Sequence, residues 1–189
     1  MIDNDNYNAL RESMKTRPKV IGFAGFKGAG KTTAALMVMR RSFACEILSF
    51  AGPLKTFVGN LFDFSNDQLY GDHKEVIDSR WGVTPRQVLQ HLGTEGVRHL
   101  VPDFWVKKMA MTIDTHHNDC TILIDDVRFP DEIKFVKSRG TLIYIDRGGE
   151  GSDHASEVDT REYADHYILN MGTLKQLESE IVSLMRRGL

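Results

Sequence analysis

Nine residues, Gly25, Phe26, Lys27, Gly28, Ala29, Gly30, Lys31, Thr32 and Thr33, carry the clearest chemistry in this sequence. The apolar run Val20-Ile21-Gly22-Phe23-Ala24 precedes them, and the helix-forming run Ala34-Ala35-Leu36-Met37-Val38-Met39 follows. Strand, glycine loop and helix are the context that a Walker A motif requires. Such a loop turns backbone N–H groups onto a phosphate chain at the positive end of a helix. Lys31 is placed for the β- and γ-phosphates and Thr32 for Mg²⁺, so the stretch points to a nucleoside triphosphate. A glycine turn before a helix is the plainer alternative.

A second candidate follows another apolar run. Thr121-Ile122-Leu123-Ile124 leads into Asp125-Asp126, which fits a Walker B acid orienting Mg²⁺. Asp125 is the first choice for the metal shell, and Asp126 either shares that role or holds an arginine. An acceptor phosphate approaching a triphosphate must be screened by cations. The candidates are Lys55, Arg80, Arg86, Arg98, Arg128, Arg147 and Arg161, each of which alone reads equally as a solvated surface charge. Lys55, Arg86 and Arg128 stand out because each lies beside a helix start or a strand end. The stretch from Arg147 to Thr160 is glycine-rich and polar. It has the composition of a lid that closes over nucleotide and excludes water, with Arg147, His154 and Glu157 as its candidate contacts. A surface loop is the alternative of equal weight.

The elements that position these groups follow from periodicity. Strands are expected at Val20–Ala24, 46–50, 121–126, 141–145 and 166–169, alternating with helices. The helix after the glycine loop should run to about Phe43, and the strand over 46–50 reads as fully covered. Thr84 and Pro85 open a helix that Gly93 and Gly96 loosen or break. Phe104, Trp105, Met109 and Ile113 form a core stripe rather than a cofactor box. Residues 65–83 read as loop or short helix outside the sheet, and Thr173 caps a closing amphipathic helix. The fold class is therefore α/β: a P-loop NTPase three-layer sandwich of about five parallel strands, flanked by helices and a lid. Ligands gather at the carboxyl ends of such strands, so the candidate groups face one crevice. Residues 1–18 form a polar lead-in and 19–189 a single domain.

The 189 residues suit one domain, with 41% hydrophobic residues to build a core. A net charge of −2 argues against a broadly basic nucleic-acid binder and leaves a local basic cleft open. No apolar run approaches the roughly 20 residues that span a bilayer, and the N-terminal stretch has no secretory h-region, so a cytoplasmic protein without a membrane partner is expected. Cys45 and Cys120 each begin an apolar run and read as buried, reduced thiols. The pair His116-His117 reads as solvated, not as a zinc site.

Six blocks carry a family resemblance: the loop Gly25–Thr32, Phe50-Ala51-Gly52-Pro53-Leu54-Lys55, Thr84-Pro85-Arg86 running into Leu92-Gly93-Thr94-Glu95, Asp125-Asp126-Val127-Arg128-Phe129-Pro130-Asp131-Glu132, His154-Ala155-Ser156-Glu157, and Asn170-Met171-Gly172-Thr173-Leu174. With them the chain resembles the deoxynucleoside monophosphate kinases of tailed bacteriophages, within the wider nucleoside monophosphate kinase group. The resemblance implies transfer of a phosphoryl group from ATP to a deoxynucleoside monophosphate, with Mg²⁺, in the host cytoplasm. It implies that Lys31, Asp125 and Arg128 serve catalysis, and that Asn170, Gly172 and Thr173 border the donor adenine. The acceptor region would span about 53–118, with Lys55, Arg80, Arg86, Gln90, Arg98, Trp105 and Arg128 as substrate contacts. A homodimer is left open. Two alternatives stay open as well. One is a similar phage kinase acting on hydroxymethylated bases within DNA, its catalytic base drawn from the acids of 65–79. The other is a nucleotide-binding switch or assembly ATPase, although no Asn-Lys-x-Asp guanine-reading motif is present.

Overall fold

The computed structural model describes residues 19–42, 44–116, 120–149 and 159–188. Strands β1 (Val20–Ala24), β2 (Cys45–Leu48), β3 (Thr121–Val127), β4 (Gly140–Asp146) and β5 (His166–Leu169) form one parallel sheet in the order β2-β3-β1-β4-β5. Val20 lies opposite Ile122 on one side and Gly140 on the other, which puts β1 in the middle. Successive strand residues point to opposite faces. Val20 and Ala24 of β1, with Ile122, Ile124, Leu142 and Tyr144, enter one core. Ile21, Phe23, Leu123, Ile143 and Ile145 enter the other. Both faces are covered, which is why the inner strands read as continuous apolar runs instead of alternating ones.

Helices α1 (Lys31–Met39) and α7 (Leu174–Arg186) cover the second face with Ala34, Ala35, Val38, Leu177, Ile181 and Leu184. Helices α2 (Gly52–Phe62), α5 (Phe104–His116) and α6 (Pro130–Arg139) cover the first with Leu54, Val58, Trp105, Met109, Ile113, Ile133 and Val136. Between α2 and α5 lie α3 (Asn66–Tyr70), a 3₁₀ turn (Asp72–Glu75), α4 (Pro85–Gln90) and a π-helix (His91–Arg98). Ser65, Thr84 and Thr173 each close a capping box with a glutamine three residues on, which fixes where α3, α4 and α7 begin.

β1 and β5 fall where periodicity places them. β2 does not: it is an edge strand, only partly buried, and it ends at Leu48. Ser49 and Phe50 leave the strand because the side chain of one and the backbone N–H of the other turn to Asp125 and Asp126. β3 runs past those acids to Val127. Helix α1 stops at Met39, short of the expected Phe43, which lies outside the described residues. Gly93 and Gly96 do not break the helix begun at Pro85; the chain continues through them with wider π-turns. Cys45 and Cys120 are in no disulfide, and they are half-buried instead of buried. The lead-in 1–18, His117, and the lid residues His154 and Glu157 lie outside the described residues. Among the described residues no helix is long and apolar enough to cross a membrane.

Helix α7 offers a direct check of this packing. Ile181 is fully buried, whereas Leu174, at the start of the same helix, is exposed. In urea unfolding, Ile181→Ala should cost about 2–5 kcal/mol. Leu174→Ala should stay within about 0.5 kcal/mol of the parent.

Candidate active site

The loop after β1 depends on three glycines with positive φ: Gly25 (134°), Gly28 (77°) and Gly30 (101°). Side chains are strained there. A Cβ on Gly25 would also strike the Ile145 carbonyl oxygen, and one on Gly30 would stand 2.7 Å from Asn170 Nδ2. Asn170, buried at the end of β5, donates to the Ala29 carbonyl (2.8 Å), and its own N–H donates to Asp146 O (2.6 Å). The loop is thus pinned to the β4–β5 edge. Lys31 is buried and donates through Nζ to Gly25 O (2.7 Å) and Phe26 O (2.9 Å), so its ammonium sits over the mouth of its own loop.

Asp125 and Asp126 are neighbours on one strand, and the pleat sends them to opposite faces. Asp125 accepts from Thr32 Oγ1 (2.6 Å) and Ser49 Oγ (2.6 Å). Asp126 accepts from Phe50 N (2.8 Å) and Ala51 N (3.0 Å), fixing the chain that enters α2. Burial, and then the charge of Asp125, push the Asp126 carboxyl above its ordinary range. Asp126 therefore orders backbone, and the nearby charge of Arg128 draws its carboxyl back toward the ionised form. Thr32, Ser49 and Asp125 bring together hydroxyl and carboxylate oxygens, a hard donor set that fits Mg²⁺. Among the described residues no group of three or more His, Cys, Asp or Glu could cage a metal alone. That also fits Mg²⁺, which takes one or two carboxylates together with substrate phosphates.

On the Asp126 side lies a pocket of about 180 Å³. Phe50, Leu54, Leu69, Leu89, Trp105 and Phe129 give it apolar walls; Lys55, Lys74, Arg86 and Arg128 give it charge; Gln90 and Thr94 are polar. The Lys55 ammonium lies 4.4 Å from the centre of the Tyr70 ring. Trp105 is buried and donates to Gly93 O (3.1 Å), anchoring α5 to the π-helix. Arg98 lines the pocket but is spent on structure. It pairs with Asp131 (2.7 Å) and Glu132 (2.7 Å), and its guanidinium stacks 3.8 Å from the Phe129 ring centre. Glu132, buried, also accepts from Arg128 N (2.8 Å) and Phe129 N (3.1 Å). Burial, then Asp126, push the Glu132 carboxyl up to about 8, against the pull of those donors.

Other expected residues lie elsewhere. Arg80 forks onto Asp78 (2.7 Å) and reaches Asp63 O (3.2 Å), outside the pocket lining. Arg161 forks onto Asp159 (2.6 Å). Arg147 lines a separate groove with Phe26, Lys27, Gly28, Ala29 and Asp146, in front of the loop. Asn170 supports the loop from behind, Gly172 packs against Gln176, and Thr173 caps α7. Ser49, Lys74 and Glu132 were not foreseen, and Glu75 only as one of the acids of 65–79. Glu132 accepts from the N–H of Phe129 at the start of α6, but phenylalanine has no capping side chain, so the sequence carries no capping-box signal for it. Lys74 and Glu75 lie in a short 3₁₀ turn, for which the sequence has no such signal. Glu75 nevertheless joins the two halves: it accepts from Lys27 of the loop (2.6 Å) and lies 3.5 Å from Arg86 Nε of α4.

A parallel sheet with a lysine-bearing glycine loop after its central strand and a cationic pocket beside it defines a P-loop kinase. Solved structures agree on the fold. Shikimate kinase from Acinetobacter baumannii in complex with shikimate is 16% identical, with 93% of this chain and 97% of that one covered and a TM-score of 0.50. Protein TT1252 of Thermus thermophilus is 17% identical, with 92% and 99% covered and a TM-score of 0.53. The family is narrower than the fold. The deoxynucleotide monophosphate kinase profile matches residues 60–181, more than half of the chain. A relative in Acanthamoeba polyphaga mimivirus, named as a candidate deoxynucleotide monophosphate kinase, is 39% identical over 184 residues, covering 87% of this chain and 94% of its own. The chain belongs to the deoxynucleotide monophosphate kinase family, and it is a phosphotransferase.

The Glu132 contacts carry a stability prediction. Glu132→Ala leaves Arg98 Nη2 and two backbone N–H groups without their acceptor in a buried setting, while Arg98 Nη1 keeps Asp131. Loss of one partner from such a group should cost about 3–5 kcal/mol in urea unfolding, and Glu132→Gln, which keeps one acceptor oxygen, distinctly less.

Proposed function

We propose that the protein transfers the γ-phosphoryl group of ATP to a deoxynucleoside monophosphate, giving ADP and a deoxynucleoside diphosphate. One observation carries this reading: flat apolar walls and converging cations share a pocket directly beside the phosphate-binding loop. A nucleoside monophosphate has the matching halves, a planar base for Phe50, Leu89, Trp105 and Phe129 and a dianion for Lys55, Arg86 and Arg128. The family supports the deoxynucleotide as acceptor.

The residues divide the work by position. The Gly25–Thr32 loop holds the donor phosphates through backbone N–H groups, and Lys31 trades its bonds to Gly25 and Phe26 for phosphate oxygens. Thr32 and Asp125 would hold Mg²⁺, which when bound neutralises charge on the phosphate oxygens. Arg128, its backbone fixed by Glu132, faces the transferring group. Phosphoryl transfer between phosphates needs positioning and charge neutralisation more than proton transfer. The carboxylates that line the pocket, Asp126 and Glu132, are both taken up by backbone N–H donors. Neither is placed as a base, which favours a phosphate acceptor over a hydroxymethyl group in DNA. The Arg147 groove and the exposed Met171 are the candidate border of the donor nucleotide. A viral relative supports a place in the cytoplasm of a host cell.

A transfer assay with labelled ATP tests the reading. It offers each free deoxynucleoside monophosphate beside hydroxymethyluracil-containing DNA; label in the free diphosphates is expected, and label in DNA alone overturns the proposal. Lys31→Ala should lower kcat by at least about 10³-fold while leaving the thermal midpoint in place, because the charge is needed in the transition state and not in the core. Arg128→Ala should lower kcat with little change in ATP affinity by calorimetry. The reverse pattern would remove Arg128 from the transfer step.

A further inference from the structure

The 3₁₀ turn Asp72–Glu75 lies outside the sheet and carries no loop motif, yet it enters the crevice from two directions. Glu75 bonds Lys27 of the phosphate loop and lies beside Arg86 of α4. Lys74, the residue before it, lines the acceptor pocket with Lys55, Arg86 and Arg128. Lys74 is half-buried and makes no hydrogen bond or ion pair with a described residue. A lysine on an open surface needs no partner. One drawn into a pocket among other cations gains nothing from that position unless an anion joins it.

The local electrostatics agree with the geometry. Burial is the largest influence on the Lys74 ammonium and lowers its pKa. Lys55, Arg86, Lys27 and Arg128, in that order, lower it further. The contributing cations come from both sides: Lys27 from the donor loop, Lys55 and Arg86 from the acceptor helices, and Arg128 from the strand end between them. Lys74 therefore stands where donor and acceptor fields overlap. Glu75 does not neutralise it by contact; its carboxylate is engaged by Lys27 and Arg86.

Resting on the kinase reading above, we infer that Lys74 is a further catalytic residue, one that contacts the phosphoryl group while it passes between the two nucleotides. In that step an oxygen of the acceptor monophosphate forms a bond to the γ-phosphorus. The bond from that phosphorus to the β,γ-bridging oxygen breaks, and its electron pair leaves with ADP. Lys74 gives up no proton; its ammonium offsets charge on the three equatorial oxygens of the group in transit. Glu75 is the positioning residue, holding the turn that carries Lys74 against the loop through Lys27.

The charge should have a cost when no nucleotide is bound. A lysine whose folded pKa lies below its unfolded one is disfavoured in its protonated form by folding, so removing its charge at neutral pH takes away a destabilising contribution. Substitution at a site kept only for structure lowers stability instead. The two roles therefore differ in the sign of the stability change as well as in kinetics.

The test compares wild type, Lys74→Met and Lys74→Arg, with ATP and the deoxynucleoside monophosphate that wild type turns over fastest. Expected for Lys74→Met is a fall in kcat of about 10²–10³-fold, with KM for ATP within about threefold, partial recovery in Lys74→Arg, and a thermal midpoint without nucleotide that is unchanged or raised. A kcat within about twofold of wild type in Lys74→Met overturns the inference. So does a loss confined to KM for the acceptor, or a lowered thermal midpoint that Lys74→Arg does not restore. Wild type that phosphorylates no free deoxynucleotide overturns the proposed function and the Lys74 role together, whereas active wild type with an unaffected Lys74→Met removes Lys74 alone.

Discussion

The site depends on the two carboxylates that end β3. Because adjacent residues on a strand face opposite ways, one dipeptide serves both halves of the crevice. Asp125 turns toward α1 and gathers Thr32 and Ser49. Asp126 turns the other way and takes the N–H groups of Phe50 and Ala51, setting the angle at which the chain leaves β2 and enters α2. Moving the pair by one residue would exchange these roles and undo both. The sheet supplies the rigidity: β3 is held between β2 and β1 and is buried on both faces up to the acids. The distance between the loop and the pocket on the Asp126 side is therefore a property of one strand, not of flexible side chains.

Charge is divided with similar economy. Positive groups gather on the pocket walls, and the nearby carboxylates are engaged before any substrate arrives. Glu132 collects Arg98 and two N–H groups, Asp126 collects two more, and Glu75 collects Lys27 with Arg86 beside it. Buried carboxylates satisfied in this way stiffen backbone without offering a free negative charge to repel a phosphate. The result is a pocket lined by five basic side chains and two carboxylates, in a protein whose formal net charge is −2. Net charge described the surface, and the site is a local departure from it.

Much of this was legible in the sequence, for identifiable reasons. The glycine loop was readable because positive φ at Gly25, Gly28 and Gly30 can hardly be met by other residues. The inner strands were readable because covering on both faces demands unbroken apolar runs. β2 misled because its apolar run includes Phe50, which enters the core only after the strand has ended. Arg98 and Arg80 looked like substrate cations because a sequence does not show which carboxylate a long side chain will find in space; Asp131 and Asp78 claimed them. The placement of Lys74 and Glu75 was hidden for the opposite reason. Their turn has no strong propensity, and contacts to Lys27, 48 residues away, and to the pocket give it its place.

The likeness in fold extends further along the chain than the family match. Shikimate kinase shares the sheet and its helical layers at an identity that speaks for the fold alone. The family match spans 60–181 and so leaves out the glycine loop; it takes in α3, the Lys74 turn, α4, the π-helix, α5, β3 and Arg128. The donor loop meets a requirement shared by many kinases, a polyphosphate seated at a helix N-terminus. On the function proposed above, the segments in the matched region must instead fit one kind of acceptor and hold it at the right distance from that loop. Here that fit is built from short helices with side-chain caps, a π-helix that tolerates Gly93 and Gly96, and a strand end whose two acids face apart. Each is a local departure from regular geometry, anchored to a regular sheet. The family match therefore spans regular strands, β3 to β5, as well as the irregular helices before them.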